Sequence, residues 1–393
     1  MGKRTVREVD VHGKRVLVRA DLNVPIEAGL ITDDTRIREA VPTVRYLLEN
    51  GATAVILCSH LGRPQGRDES LSLAPVAGRL GNILGREVLF VDDCVGPDAA
   101  SAVRLMPAAS VLLLENLRFH KEEEANDVGF AKELASYADL YVDDAFGSAH
   151  RSHASTEGVT HFLPAVAGLL MAKEVRYLSA LVANPPRPFA AVIGGAKVST
   201  KILAIEHLLP KLNMLFLGGG MANTFFVASG VDVRMSLVEE EQVDVAQRIL
   251  AAAKSRGVQV FLPVDVVAAN AFAADAETKV VVPTSVPRGY MILDIGPETV
   301  NLFGRELQKA KSVMWNGPMG VFEMEKFSHG SVGIARKIAG LEATTVVGGG
   351  ETVAVVAMTG LGQEFTHVST GGGASLEMLE GKELPGVAAL LDS

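Results

Sequence analysis

Two sets of residues in this 393-residue chain have the types and spacing to hold phosphorylated ligands. The first is basic and polar. It comprises Asp21-Leu22-Asn23-Val24-Pro25 followed by Arg36 and Arg38, then His60-Leu61-Gly62-Arg63-Pro64, then Glu115-Asn116 with Arg118 and His120, and Asp144 with His150, Arg151 and His153. Guanidinium groups bind phosphate or carboxylate bidentately, so arginines beside Asx residues and histidines suit a small acid. One such arginine is ordinarily a solvated surface residue; the same signal at four places is a pattern. The second set is glycine-rich: Gly194-Gly195-Ala196-Lys197-Val198-Ser199-Thr200-Lys201, Gly218-Gly219-Gly220, Gly348-Gly349-Gly350-Glu351-Thr352 and Gly371-Gly372-Gly373. Glycines between a strand and a helix let a backbone approach phosphate oxygens. A single GGG can be only a tight turn, but four in one half favour a nucleotide.

Each set follows short apolar runs that read as strands. In the first half these are Arg15–Ala20, Ala54–Ser59, Glu87–Val91, Val111–Leu114 and Leu140–Asp143. In the second half they are Phe189–Ile193, Met214–Leu217, Gln259–Leu262, Met291–Asp294, Val313–Trp315, Thr344–Val347 and Thr366–Val368. Most are apolar on both faces, as strands covered on both sides must be. Helical stretches such as Thr35–Asn50 and Val243–Arg256 alternate with them, so the spacing predicts a parallel α/β sheet twice over. Ligands of such sheets collect beyond the carboxyl ends of the strands, where both residue sets fall. An amphipathic helix over Gly168–Ala183, with Met171, Val175, Leu178 and Val182 on one face, is expected to join the halves as a hinge before Asn184-Pro185-Pro186-Arg187-Pro188 stops it.

Composition narrows the class. Apolar residues make up 48% and charged residues 21%, which excludes a disordered or fibrous chain. A net charge of −9 with one tryptophan argues against nucleic-acid binding. The opening residues lack a signal-peptide core, and the apolar stretch Phe162–Ala172 is too short to span a membrane. The expectation is a cytoplasmic, reduced protein, with Cys58 a small buried hydrophobe and neither cysteine having a metal partner set. The histidines show no metal-ligand spacing and read as structural. GxxxxGK[ST], GxGxxG, HRD and DFG patterns are absent. Two anion-binding lobes on one hinge point to phosphoryl transfer to a small acid, a reaction of positioning and charge neutralisation.

Longer motifs carry a resemblance. Arg19-Ala20-Asp21-Leu22-Asn23-Val24-Pro25, Ser59-His60-Leu61-Gly62-Arg63-Pro64, Leu114-Glu115-Asn116-Leu117-Arg118-Phe119, Asp144-Ala145-Phe146-Gly147 with Ala149-His150-Arg151, and Gly194-Gly195-Ala196-Lys197-Val198 resemble phosphoglycerate kinases. So do Trp315-Asn316-Gly317-Pro318-Met319-Gly320-Val321-Phe322-Glu323 and Ser369-Thr370-Gly371-Gly372-Gly373-Ala374-Ser375, and the order matches along nearly the whole chain. The resemblance implies two Rossmann-like three-layer αβα domains joined by a hinge helix. Residues 1–170 would hold 3-phosphoglycerate, 171–383 the nucleotide, and 384–393 would return to the first domain. It implies acid binding by Asp21, Leu22, Asn23, Arg36, His60, Leu61, Gly62, Arg63, Arg118 and Arg151. It implies nucleotide binding by Lys201, Glu323, Gly349, Gly350, Glu351 and Thr352, with Glu351 toward a nucleotide-borne Mg²⁺. Arg36, Lys197, Lys201, Gly350 and Gly373 would serve the transfer itself, in a monomer acting on small molecules with Mg²⁺ and ATP or ADP. Four positions depart from the family pattern: Ala20 for valine, Thr200 for aspartate, Ile292 for glycine, and Glu351 for the aspartate of a Gly-Asp-Thr loop. Two other readings stand beside this one. They are another small-carboxylate kinase and a non-catalytic two-lobed anion-binding protein.

Overall fold

Parallel strands need both faces covered, and the apolar runs here are long enough to build two such sheets. The computed structural model describes residues 2–393. It divides into two units, one formed by the chain up to Arg176 together with Glu383–Ser393, the other by Tyr177–Lys382. The dividing point falls inside the helix Leu169–Ala183.

In the first unit the strands are β1 (Arg15–Arg19), β2 (Ile26–Glu27), β3 (Leu30–Ile31), β4 (Ala54–Cys58), β5 (Val88–Val91), β6 (Ser110–Leu114), β7 (Leu140–Asp143) and β8 (Ala165–Ala167). Six form a parallel sheet in the order β5-β6-β4-β1-β7-β8, and β2 and β3 make a small antiparallel hairpin. Val16, Val18, Val55, Leu57, Val111 and Val142 pack on Ile37, Val44 and Leu47 of the helix Thr35–Glu49 and on Val76 and Leu80 of the helix Ala74–Leu84. The apolar stretch Phe162–Ala172 resolves into β8 and the first turn of Leu169–Ala183. The segment Glu383–Ser393 completes this unit: Leu391 N–H donates to Ala165 O, Arg4 N–H to Leu391 O, and Gly386 N–H to Ala149 O.

The second unit contains β9 (Phe189–Ile193), β10 (Met214–Leu217), β11 (Gln259–Phe261), β12 (Val266–Ala269), β13 (Thr278–Val281), β14 (Met291–Ile295), β15 (Ser312–Asn316), β16 (Thr344–Gly348) and β17 (His367–Val368). Its parallel sheet runs β11-β10-β9-β15-β16-β17. One strand expected in that sheet is elsewhere. Met291–Ile295 pairs antiparallel with β12 in a separate three-stranded sheet, β13-β12-β14. A short buried apolar run is the same for either kind of sheet, and β13 is too exposed to give an apolar signal.

The joining helix differs from its expected face in a similar way. Its buried row is Met171, Glu174, Leu178 and Leu181 rather than Met171, Val175, Leu178 and Val182. Both rows satisfy a 3.6-residue period. The helix start is set by Asp144, whose Oδ1 accepts from the N–H groups of Leu170 (2.8 Å) and Met171 (3.2 Å).

The single tryptophan, Trp315, is wholly buried in the second unit's core, and its indole Nε1 donates to Gly317 O at 2.9 Å. Trp315→Phe removes that donor and leaves a buried carbonyl unpaired. It is expected to lower the stability of this unit by about 1–3 kcal/mol, measured by urea unfolding followed by circular dichroism.

Candidate active site

In the first unit the carboxyl ends of β1, β4, β6 and β7 place four polar loops side by side. Asn116 clasps two of them. Its Oδ1 accepts from Leu61 N–H (3.2 Å) and Arg118 N–H (3.1 Å), and its Nδ2 donates to the carbonyls of Leu61 (2.8 Å) and Leu71 (2.9 Å). Asn23 Oδ1 accepts from Gly62 N–H at 2.9 Å. Arg36 Nη1 donates to Asp21 Oδ1 (3.1 Å) and Asn23 O (3.0 Å), and Arg118 Nη1 to Gly62 O (2.8 Å).

The electrostatics follow from this crowding. His60 is buried, and burial together with the charges of Arg19, Arg118, Arg151 and Arg36 holds its imidazole well below the ordinary range. Burial and the charges of Arg118, Arg19 and Arg151 push His153 down to about 4. Burial, then Arg151, lowers Arg118 as well. Several guanidiniums around neutral imidazoles make a place where an anion relieves mutual repulsion.

Of the expected acid-side residues, Asp21, Asn23, Arg36, His60, Gly62 and Arg118 meet through hydrogen bonds or shared charge. Arg151 joins them electrostatically. Arg63 is exposed beside Gly62, and among the described residues no hydrogen bond or ion pair orients its side chain. The side chains of Leu22 and Leu61 are in the core, so only their backbones face the loops. Arg19 is the member that the reading of the strand ends passed over. It is 1% exposed at the last position of β1, and a cation ending a central apolar strand is a legible signal. Glu123 and Ser155, which hold it, carry none, because Glu122-Glu123-Glu124 reads as a solvated face.

A second expectation about the first unit needs correction. Cys94 does have neighbours of metal-ligand type: Asp93, Cys94 and His120 bring their ligand atoms within 4.8 Å of one another. The segments are distant in sequence, so no spacing announced it. His120 Nε2 lies 2.7 Å from Asp93 Oδ1, so those two groups already satisfy each other. Cys58 is buried in β4, its thiol pushed up to about 12 by burial.

In the second unit two cavities adjoin at Gly195, Ala196 and Glu351. One, of about 460 Å³, is lined by Lys197, Thr200, Lys201, Asn316, Gly349, Gly350, Glu351, Thr352 and Gly373 among others. The other, of about 700 Å³, is mostly apolar, with Met235, Leu237, Phe272, Ile292, Val321 and the carboxylate of Glu323. Met235, Leu237 and Phe272 are large exposed apolar side chains for which this cavity supplies a reason.

The glycines divide by role. At Gly194 and Gly317 an added Cβ would lie 2.2 Å from Pro318 O and 2.1 Å from Gly194 O, so these residues let the loops after β9 and β15 touch. At Gly350 and Gly372 nothing lies within 4 Å, and both line the smaller cavity. Only the latter kind leaves room for a ligand.

Lys201 Nζ donates to Asn316 Oδ1 at 2.5 Å. Burial draws its ammonium below the ordinary range, with Glu351 and Glu380 opposing. Thr352 Oγ1 accepts from Gly317 N–H at 2.7 Å and is buried. Lys197 is exposed in the loop, four residues before Lys201, which caps the helix Ile202–Leu208. Lys197 therefore lies in the loop that precedes this helix, and it faces the same cavity as Gly350. Of the departures, Ala20 is core packing, Ile292 narrows the apolar cavity, and the Thr200 hydroxyl donates to Lys197 O.

Residues 6–382 match the model of one family, phosphoglycerate kinase. The chain belongs to the phosphoglycerate kinase family. A phosphoglycerate kinase of Moorella thermoacetica is 56% identical over 393 residues, covering 100% of each chain. The cytosolic phosphoglycerate kinase of Triticum aestivum is 56% identical over 391 residues, covering 98% of this chain and 97% of its own. Among solved structures, the phosphoglycerate kinase of Coxiella burnetii matches with a TM-score of 0.89 at 40% identity, and that of Pyrococcus horikoshii with 0.86 at 33%. Each covers 98% of both chains. The α/β architecture of two six-stranded parallel sheets is that of the phosphoglycerate kinases.

The depressed His153 has a measurable effect on stability. The unfolded imidazole takes up a proton near its ordinary 6.5, whereas the folded one waits until about 4. Between those values the unfolded chain binds more protons, so stability falls as pH falls through that window. Denaturant titrations of the wild type and His153→Asn are expected to converge across it as pH drops, because the variant lacks that loss.

Proposed function

We propose that the enzyme catalyses reversible phosphoryl transfer between 1,3-bisphosphoglycerate and ADP, giving 3-phosphoglycerate and ATP, with the acid on the first unit and the nucleotide on the second. The observation that carries the division of labour is the contrast between the two sets of strand ends. One gathers guanidiniums around neutral imidazoles. The other pairs a glycine- and lysine-lined cavity with an apolar one, a shape suited to phosphates joined to a base.

In this reading Asp21 and Asn23 orient Arg36, and the Asn116 clasp sets the loop that carries Gly62 and Arg63. Arg118 and Arg151 supply charge to the acid's phosphate and carboxylate. An acceptor carboxylate is already ionised at neutral pH, so no general base is needed. The open backbone at Gly350 and the adjoining Gly373 receive the nucleotide's phosphates, Lys201 is steadied beside them by Asn316, and Glu323 and Ile292 bound the base side. The donor set suits Mg²⁺: Glu351 is an exposed carboxylate on the smaller cavity, and Mg²⁺ commonly binds through one or two carboxylates and substrate phosphates. When bound it neutralises charge on those phosphates. Transfer requires acid and nucleotide to meet, a closure we assign to bending at Leu169–Ala183, with Arg36 and Lys197 offsetting the gathered negative charge.

The net charge of −9 supports small-molecule partners rather than nucleic acid. A cytoplasmic monomer is the associated proposal. Among the described residues no helix is long and apolar enough to cross a membrane, and the Triticum aestivum relative is described as cytosolic.

A coupled assay for 1,3-bisphosphoglycerate formation from 3-phosphoglycerate and MgATP tests the reaction, and its absence overturns it. Lys197→Ala is expected to lower kcat about a hundredfold or more while each ligand's own affinity stays within about tenfold. Glu351→Gln is expected to weaken MgATP binding by about threefold to tenfold in calorimetry, with 3-phosphoglycerate binding unchanged.

A further inference from the structure

Arg19 is a buried cation with a directed set of partners. Its Nε donates to Ser155 Oγ at 2.8 Å, its Nη1 to Ala20 O at 2.6 Å, and its Nη2 lies 3.1 Å from His60 Nδ1. Ser155 passes the polarity on, donating from Oγ to Glu123 Oε1 at 2.6 Å and from its N–H to Glu123 Oε2 at 2.9 Å. Glu123 is wholly buried. A guanidinium has donors only, so the atom facing Arg19 Nη2 must accept. His60 Nδ1 is therefore unprotonated, and the one proton of the neutral ring is on Nε2. Among the described residues, Nδ1 to Arg19 is the only hydrogen bond of the His60 side chain.

We infer that Glu123, through Ser155, fixes Arg19 so that His60 is held as its Nε2–H tautomer and offers an uncharged donor to an oxygen of the bound acid. Glu123, Ser155 and Arg19 are then positioning residues, and the reading rests on the acid binding at this cluster. The arrangement answers a specific difficulty. Arg19, Arg36, Arg118 and Arg151 all bear on His60. A further positive charge there would add repulsion, whereas a neutral N–H adds direction. An imidazole free to exchange its proton between nitrogens would present a lone pair to an anion for part of the time. The arginine removes that alternative, and the buried carboxylate keeps the arginine from turning.

The test uses the full chain labelled with ¹⁵N, observed without ligand at neutral pH by long-range ¹H–¹⁵N correlation, with His60 assigned by comparison with His60→Gln. The expected result is a single Nε2–H pattern for His60. A protonated Nδ1, or an imidazolium, overturns the inference whatever the kinetics show. Ser155→Ala is expected to give mixed tautomers and to raise KM for 3-phosphoglycerate about fivefold or more, with kcat and KM for ATP within about twofold. Ser155→Thr, which keeps the hydroxyl, is expected to restore both readings. Glu123→Gln should behave as Ser155→Ala does, and if it fails to fold, the two Ser155 variants decide. An unchanged tautomer and KM in Ser155→Ala overturn the positioning role, as does an equal rise in both KM values. The spectrum needs no substrate. An enzyme inactive with 3-phosphoglycerate would therefore overturn the proposed function while the tautomer is still read independently.

Discussion

A parallel strand cannot reach its neighbour by a hairpin; the chain must cross back over the sheet before the next strand begins. Every strand of a parallel sheet therefore ends on the same edge, and the loops leaving that edge are neighbours however far apart they lie in sequence. This constraint makes Asn23, Gly62, Asn116 and Arg118 one constellation in the first unit, and Gly195, Asn316, Gly350 and Gly373 another in the second. The three-stranded antiparallel sheet escapes the rule and serves differently, lending Met291, Ile292 and Leu293 to the wall of the apolar cavity.

The two edges solve opposite problems. The first must bury cations, and a buried charge is tolerable only when paired or hydrogen-bonded. Hence the density of side-chain hydrogen bonds there, with Asn116, Asn23, Asp21 and Glu123 each committed to a backbone group or a cation. The second must bring backbone close to a ligand, and it does so by omission. Gly194 and Gly317 let two loops touch, and Gly350, which opens the helix Gly350–Thr359, leaves free space on the smaller cavity. Side chains write the first site; their absence writes the second.

This contrast explains what could be read from the sequence. Arginines and glycines after apolar runs are visible in one dimension, so both residue sets and the α/β alternation were legible. Pattern does not separate the expected strand Met291–Asp294 from the parallel strands, because burial on two faces looks alike in either sheet. Phe272 and Met235 carry no motif; they matter only through where the fold brings them. Glu123 is the extreme case. It sits in the middle of three glutamates, yet it alone is wholly buried, and nothing in Glu122-Glu123-Glu124 distinguishes it before the chain has folded.

The segment Glu383–Ser393 pairs with residues near the start of the chain, Lys3 Nζ reaching the carbonyls of Ala388 (3.0 Å) and Leu390 (2.8 Å). On the ribosome those partners are separated by the whole of the second unit, which emerges in between. The six-stranded sheet of the first unit can form early, with Arg4 already pairing at Ala167 of β8, but the Leu391 contact at Ala165 of the same strand waits until translation has passed Lys382. The second unit, by contrast, is contiguous and can close as soon as its last helix, Gly373–Leu379, is released. The unit that is made first is thus finished after the other, and the nascent chain carries an unsealed seam while the whole of the second unit is being made.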